Sequence, residues 1–173
     1  MEQKIQARKA RGAGMIERAL IIVKPDGVER GLVGEILKRF ENTGLKIIGM
    51  KMVWIDKKFA EQHYKAHKKK SFFKELVEFI TEGPVIAFVV EGVHAVNNAR
   101  RIVGDTSPNK AAPGTIRGDF AHMSMEYASQ KGLGGKNIIH ASGSTKEAGE
   151  EIKLWFNPEE LHSYTTVHEK HVF

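Results

Sequence analysis

Apolar and polar positions along the chain alternate between two kinds of segment. "RALIIV", residues 18–23, is a continuous apolar run stopped by Lys24-Pro25-Asp26-Gly27. A short run ended by turn residues predicts a strand buried on both faces. In "GLVGEILKRFENTG", Val33, Ile36, Leu37 and Phe40 recur at helical spacing, and Gly44 supplies a C-terminal stop. "LKIIGMKMVWI" is rich in branched and aromatic residues and predicts a second strand. Asp56 is placed to cap a helix through "KKFAEQHYKAHKK", and Ser71 to cap another with Leu76, Val77 and Ile80 on one face, ended by Gly83-Pro84. "VIAFVVEG" is a third buried strand. "HAVNNARRIV" predicts a helix with Val96, Ala99, Ile102 and Val103 inward and Arg100 and Arg101 nearer solvent.

Residues 104–120, "GDTSPNKAAPGTIRGDF", hold two prolines and three glycines and predict a long loop, a feature that is often functional. "AHMSMEYASQKGLGG" reads as an exposed excursion. "NIIH" is the fourth strand, and Ser144-x-x-Glu147 forms a capping box for a helix with Ala148, Ile152, Trp155 and Phe156 inward. The order is β-α-β-α-α-β-α-loop-β-α. It predicts an α+β class of the split βαβ kind, with helices on one face of a sheet.

The 173 residues suit one domain, read as residues 17–173, with residues 1–16 as a flexible basic extension. There is no cysteine, which removes disulfides, thiolate nucleophiles and Cys-ligated zinc. The net charge of +6 attracts anions without choosing among nucleotides, nucleic acid and acidic surfaces. No apolar run approaches the roughly 20 residues of a membrane span, and the N-terminal stretch lacks a signal-peptide core. A cytoplasmic protein with no membrane partner is the expectation.

His140 ends the fourth strand and is followed by Ala141, Ser142, Gly143 and Ser144, which leave room for a bulky partner. The next helix offers Glu147 and Glu151, four apart and on a similar face. A carboxylate that takes one ring N–H leaves a lone pair on the other nitrogen, as a nucleophilic histidine needs. Lys24, Arg100 and Arg117 come from three separate segments and together suit a polyphosphate. Singly, each reads as an ordinary strand-end, helix-face or loop charge. Phe72 and Phe73 are adjacent, so one belongs to the core and the other is free to stack on a base. Tyr64 offers a hydroxyl, or simply packs. "GLGGKN" fails as a P-loop, because Gln130 and Asn137 stand where Gly and Ser/Thr are needed. His63 and His67, four apart without a third ligand, read as solvated histidines, and so do His168 and His171.

Several motifs resemble the nucleoside diphosphate kinase family: "ALIIVKPDGVERGLVGEILKRFE", "RRIVGDTSP", "PGTIRGDF", "NIIHAS" and "EEIKLWFNPEEL". The resemblance runs from about Arg18 to about Tyr164. It implies a ferredoxin-like αβ sandwich, with a four-stranded antiparallel sheet, and a homo-oligomer that is a hexamer or else a tetramer. It implies transfer of the γ-phosphate of a nucleoside triphosphate to a nucleoside diphosphate, with Mg²⁺ carried on the phosphates. His140 matches the phosphorylated histidine and Glu151 the glutamate that orients it. Lys24, Tyr64, Arg100, Thr106, Arg117 and Asn137 match positions that bind phosphates, ribose or the reacting group. Phe72 matches the base-stacking aromatic, and Ser142 a serine beside the histidine.

The chain departs from the family pattern twice. Gly143 stands where the family has aspartate, and the span from Asp119 to Asn137 is longer than usual, so the second base-contacting residue has no match. The competing expectation is a nucleic-acid-binding ferredoxin-like module without kinase activity, which suits the charge. No strand shows the aromatic spacing of such a sheet, so nucleic acid is not the expected partner.

Overall fold

The computed structural model describes residues 13–133 and 135–172. Strands β1 (Ile16–Val23), β2 (Lys46–Val53), β3 (Val85–Val93) and β4 (Ile139–Ala141) form one antiparallel sheet in the order β2-β3-β1-β4. β1 and β3 lie in the middle, and Ala19–Val23 and Val85–Val90 are buried on both faces. That is why both read as unbroken apolar runs. The edge strand β2 instead alternates after Gly49, leaving Met50 and Met52 more than half exposed.

Nine α-helices are described: α1 (Pro25–Glu29), α2 (Val33–Glu41), α3 (Lys57–His63), α4 (Phe73–Ile80), α5 (Ala95–Val103), α6 (Ile116–Phe120), α7 (Met125–Gln130), α8 (Thr145–Trp155) and α9 (Glu169–Val172). α5 and α8 pack on β1 through Ala95, Val96, Ala99, Val103, Ala148, Ile152 and Trp155. This is a ferredoxin-like fold. The C-terminal segment straps the β2 edge, with the His162 N–H donating to the Ile48 carbonyl and the Tyr164 hydroxyl to that of Ile47.

Four local expectations are corrected. The helix begun by Asp56 ends at His63, where the chain tightens into a 3-10 turn, Lys65–His67. The following helix starts two residues after Ser71, with Phe72 at its N-cap. The loop over 104–120 contains a 3-10 turn, Pro108–Lys110, and α6, whose cap is the Thr115 side chain. The segment after it is no open excursion: Ser124 accepts the Tyr127 N–H and starts α7. Of the expected N-terminal extension, residues 1–12 lie outside the described residues. Ala13–Met15 form a 3-10 turn, and the Met15 carbonyl accepts the His94 N–H.

Candidate active site

The site is assembled where β1 ends. Lys24 N–H donates to the Ile138 carbonyl at 2.8 Å, and the Asp26 carboxylate accepts the Ile138 N–H at 3.0 Å. Together they staple the start of α1 to the entry of β4. Gly27 must be small for the same reason: a Cβ there would sit 2.7 Å from Val23 Cγ1 and 3.0 Å from the Ile138 carbonyl. Ile138 is held at φ 72°, a conformation that costs a β-branched residue. Two residues on, His140 lies opposite Ile22 of the central strand.

The His140 ring is fixed from behind. Its Nε2 is 2.8 Å from Glu151 Oε1, a close contact though not a well-aligned hydrogen bond. Glu151 is set in turn by Ser142, whose hydroxyl donates to Oε2 at 2.6 Å and accepts the Leu20 N–H at 3.0 Å. A capped helix aims the carboxylate, since Ser144 accepts the Glu147 N–H to begin α8. The capping box is only half formed, because the Glu147 carboxylate bonds Gly143 N–H instead of the cap residue's own. Glu151, rather than Glu147, is therefore the carboxylate beside the ring. Nδ1 is the nitrogen left for chemistry.

His63 is the residue that spacing misread. Its side chain is 1% exposed and belongs to this cluster, not to solvent. The Trp155 indole N–H donates to His63 Nδ1 at 3.2 Å, and the His63 ring meets that of His140 edge-on at 5.0 Å. Burial, then the nearby His140 and Lys24, holds the His63 pKa well below its usual value, so the ring is neutral. No pattern within α3 announces this, because the partner tryptophan lies 92 residues away. Tyr64 is buried beside it with its hydroxyl unpartnered among the described residues, and burial raises its pKa.

The cations converge on the same place. Lys24 Nζ donates to Asn137 Oδ1 at 2.7 Å and to the Gly135 carbonyl at 3.3 Å. Burial, reinforced by the Arg117 charge and opposed by Asp26, brings the Lys24 pKa down to about 7. The Asn137 amide donates onward to the Thr106 carbonyl. Arg117 is buried and donates to the carbonyls of Asn137, Gly104, Asp105 and Ile139, which makes it the clamp between the long loop and β4. Burial, then the charge of Arg100, lowers its pKa to about 10. Arg100 stays exposed at the mouth.

A cavity of about 450 Å³ opens between these groups. Lys24, Tyr64, Phe72, Arg100, Thr106, Arg117, Asn137 and His140 all line it. Ser142 and Glu151 do not line it and stand behind the histidine. Phe72 is 40% exposed at one end, whereas Phe73 packs against the core. Arg101 faces a different hollow.

His63, His140 and Glu151 offer donor atoms within 4.8 Å of one another. The indole N–H already occupies His63 Nδ1 and the Ser142 hydroxyl one oxygen of Glu151, so the trio is a packed cluster around the His140 ring with part of its donor set engaged. A hard cation such as Mg²⁺ needs several oxygen ligands. The cavity offers carboxylates only from Glu75 and Glu147 among its described lining, and its cations suit phosphate. Mg²⁺ fits here as the companion of a nucleotide.

A cavity lined by cations and a histidine on a ferredoxin-like sheet has clear relatives. The family model described as nucleoside diphosphate kinase matches residues 17–161. The chain belongs to the nucleoside diphosphate kinase family. It is 52% identical over 149 residues to nucleoside diphosphate kinase of Pyrococcus furiosus, covering 86% of this chain and 88% of that one. It is 48% identical over 159 residues to that of Archaeoglobus fulgidus, covering 91% and 98%. The solved Borrelia burgdorferi enzyme, a transition-state mimic with bound vanadate and ADP, superposes with TM-score 0.88 at 40% identity, covering 91% and 97%. The enzyme of Halobacterium salinarum in complex with CDP gives 0.81 at 42%, covering 91% and 98%. The chain is thus an enzyme with nucleoside diphosphate kinase activity, and the nucleic-acid-binding alternative is set aside.

Proposed function

We propose that this kinase works by a ping-pong mechanism through a phosphohistidine on Nδ1 of His140. The observation that carries the reading is the 2.8 Å contact of Nε2 with Glu151, in a residue that also lines the cationic cavity. Nδ1 attacks the γ-phosphorus of a nucleoside triphosphate. The N–P bond forms, the bond to the β-phosphate oxygen breaks, and the nucleoside diphosphate leaves with the electron pair. A second diphosphate then attacks the same phosphorus through its terminal oxygen and frees the imidazole. The first step puts positive charge on the ring and the second removes it, and Glu151 stabilises the charged phosphoimidazolium at Nε2.

Phosphoryl transfer depends mainly on positioning and charge neutralisation. Lys24, Arg100 and Arg117 would offset the phosphate charge. Asn137 and Thr106 would bind sugar or phosphate oxygens, and the unpartnered Tyr64 hydroxyl would donate to the reacting group. Phe72 would stack on the base, which asks little of its identity. Mg²⁺ arrives on the nucleotide phosphates and offsets their remaining charge.

A homo-oligomer, hexameric or tetrameric, is part of the proposal. Met50, Met52 and Trp54 lie on one face of β2 and its continuation and are 54%, 59% and 67% exposed, an apolar stripe on an edge strand suited to a second copy. A cytoplasmic location and a domain running from residue 17 complete the reading. No helix among the described residues is long and apolar enough to cross a membrane.

Mass spectrometry after brief exposure to MgATP tests the chemistry. One acid-labile phosphate on wild type and none on His140→Ala is the expected result. Equal labelling of both proteins would refute the assignment.

A further inference from the structure

We infer that Glu147 is the carboxylate that positions the nucleotide's Mg²⁺ at the histidine end of the cavity, and that position 143 is glycine so that Glu147 can reach there. This rests on the nucleotide reading above. The chain has Gly143 where its family has aspartate, so the turn between β4 and α8 offers no side chain at that position. The place is nevertheless filled. A Cβ built at Gly143 would lie 2.6 Å from Glu147 Oε2 and 3.8 Å from Arg100 Nη1. The Glu147 side chain folds back over the glycine, where its Oε2 accepts the Gly143 N–H at 3.2 Å. Any side chain at position 143 would compete for that space, so the glycine and the glutamate are coupled.

Glu147 lines the cavity with His140, Arg100 and Arg117. Glu75, the other carboxylate in the described lining, stands on α4 three residues after Phe72. Among the described residues the Gly143 N–H is the one partner of the Glu147 side chain, and Oε1 is free to accept another donor.

A carboxylate in a cavity that gathers phosphate repels the ligand unless a cation stands between them. Mg²⁺ keeps several waters and is held by one or two carboxylates together with substrate phosphates. Glu147 meets that need from the helix, and no side chain at position 143 is required.

Calorimetric titration with ADP, once with excess Mg²⁺ and once with EDTA, tests this without turnover. The proteins are wild type, Glu147→Gln and the double variant Gly143→Asp/Glu147→Ala. Wild type should bind ADP more tightly with Mg²⁺ than without it. In Glu147→Gln that ratio should fall about tenfold, the scale of losing a group just outside a metal's own ligands. Metal-free ADP should bind the variant as well as wild type or better, because a repelling charge is gone. The double variant returns a carboxylate to the space over position 143 and should restore most of the ratio. A Glu147→Gln ratio equal to that of wild type, or a double variant no better than Glu147→Gln, would overturn the inference and leave the nucleotide reading intact. So would a wild type indifferent to the metal. A wild type that binds no ADP in either condition would overturn both.

Discussion

The Asp26 carboxylate accepts the backbone N–H of Ile138 across 112 residues of sequence, two positions before the histidine that meets the cavity. The bond holds Ile138 at φ 72°, a geometry its own side chain disfavours. Burial raises the Asp26 pKa, opposed by the charge of Lys24, so the pair shares one desolvated corner. Strain kept at the entry to β4 sets the direction in which His140 leaves the sheet.

Asp26→Ala removes that acceptor and leaves a buried N–H unpaired. A loss of about 1–3 kcal/mol in stability is expected. Turnover should fall more than the nucleotide KM rises, because the base and phosphate contacts lie elsewhere. Urea unfolding and steady-state kinetics together check this. Unchanged turnover with lost stability would show that Ile138 does not aim the histidine.

Lys24 gives a pH dependence with a definite sign. Its pKa in the free protein is lowered to about 7, so the group is partly neutral from there upward. A bound phosphate favours the ammonium and raises that pKa, so binding takes up a proton. Affinity should therefore weaken as pH climbs through and beyond about 7. Calorimetry in two buffers of different ionisation enthalpy at pH 8 should report net proton uptake, and Lys24→Gln should abolish it.

Trp155→Phe keeps an aromatic ring in the core, though a smaller one, and deletes the donor to His63 Nδ1. The neutral histidine then loses its one aligned bond. A destabilisation of about 1–3 kcal/mol is expected. Phosphoenzyme formation should slow, because the ring meeting His140 edge-on is no longer held. A variant as stable and as fast as wild type would remove His63 from the positioning machinery.

Two glycines should differ in how much a methyl group costs. At Gly27 a Cβ meets backbone and a packed valine, so Gly27→Ala should cost about 1–3 kcal/mol through overpacking. At Gly143 the Cβ would be 2.6 Å from Glu147 Oε2, the far end of an exposed side chain that can swing away at the loss of its exposed bond from the Gly143 N–H. Gly143→Ala should therefore cost less than about 1 kcal/mol, within the range of ordinary surface changes. Thermal unfolding of the two variants side by side checks the order.

The central strands were legible because both faces are buried, and α2, α5 and α8 because one face is. Strand order was not, since nothing in "VIAFVVEG" names its neighbours. The cavity's residues were recognised through family motifs. Helical spacing alone offers Glu147 and Glu151 as equal partners for His140; the family motif points to Glu151, and the structure sets its carboxylate beside the ring while that of Glu147 takes the Gly143 N–H. His63 was misread because helical spacing carries no information about a tryptophan on another helix. The excursion became α7 because Ser124 caps it, a signal too local to reveal which cavity the helix would cover.

The central claim is that His140 carries the phosphate as a covalent, competent intermediate. The most direct measurement isolates the protein after MgATP, strips all nucleotide, and adds GDP alone. The account predicts one equivalent of GTP formed in a single rapid turnover, with the acid-labile phosphate lost from His140 at the same rate. Retention of phosphate on the protein with no GTP, or GTP only when ATP is present together with GDP, would contradict it.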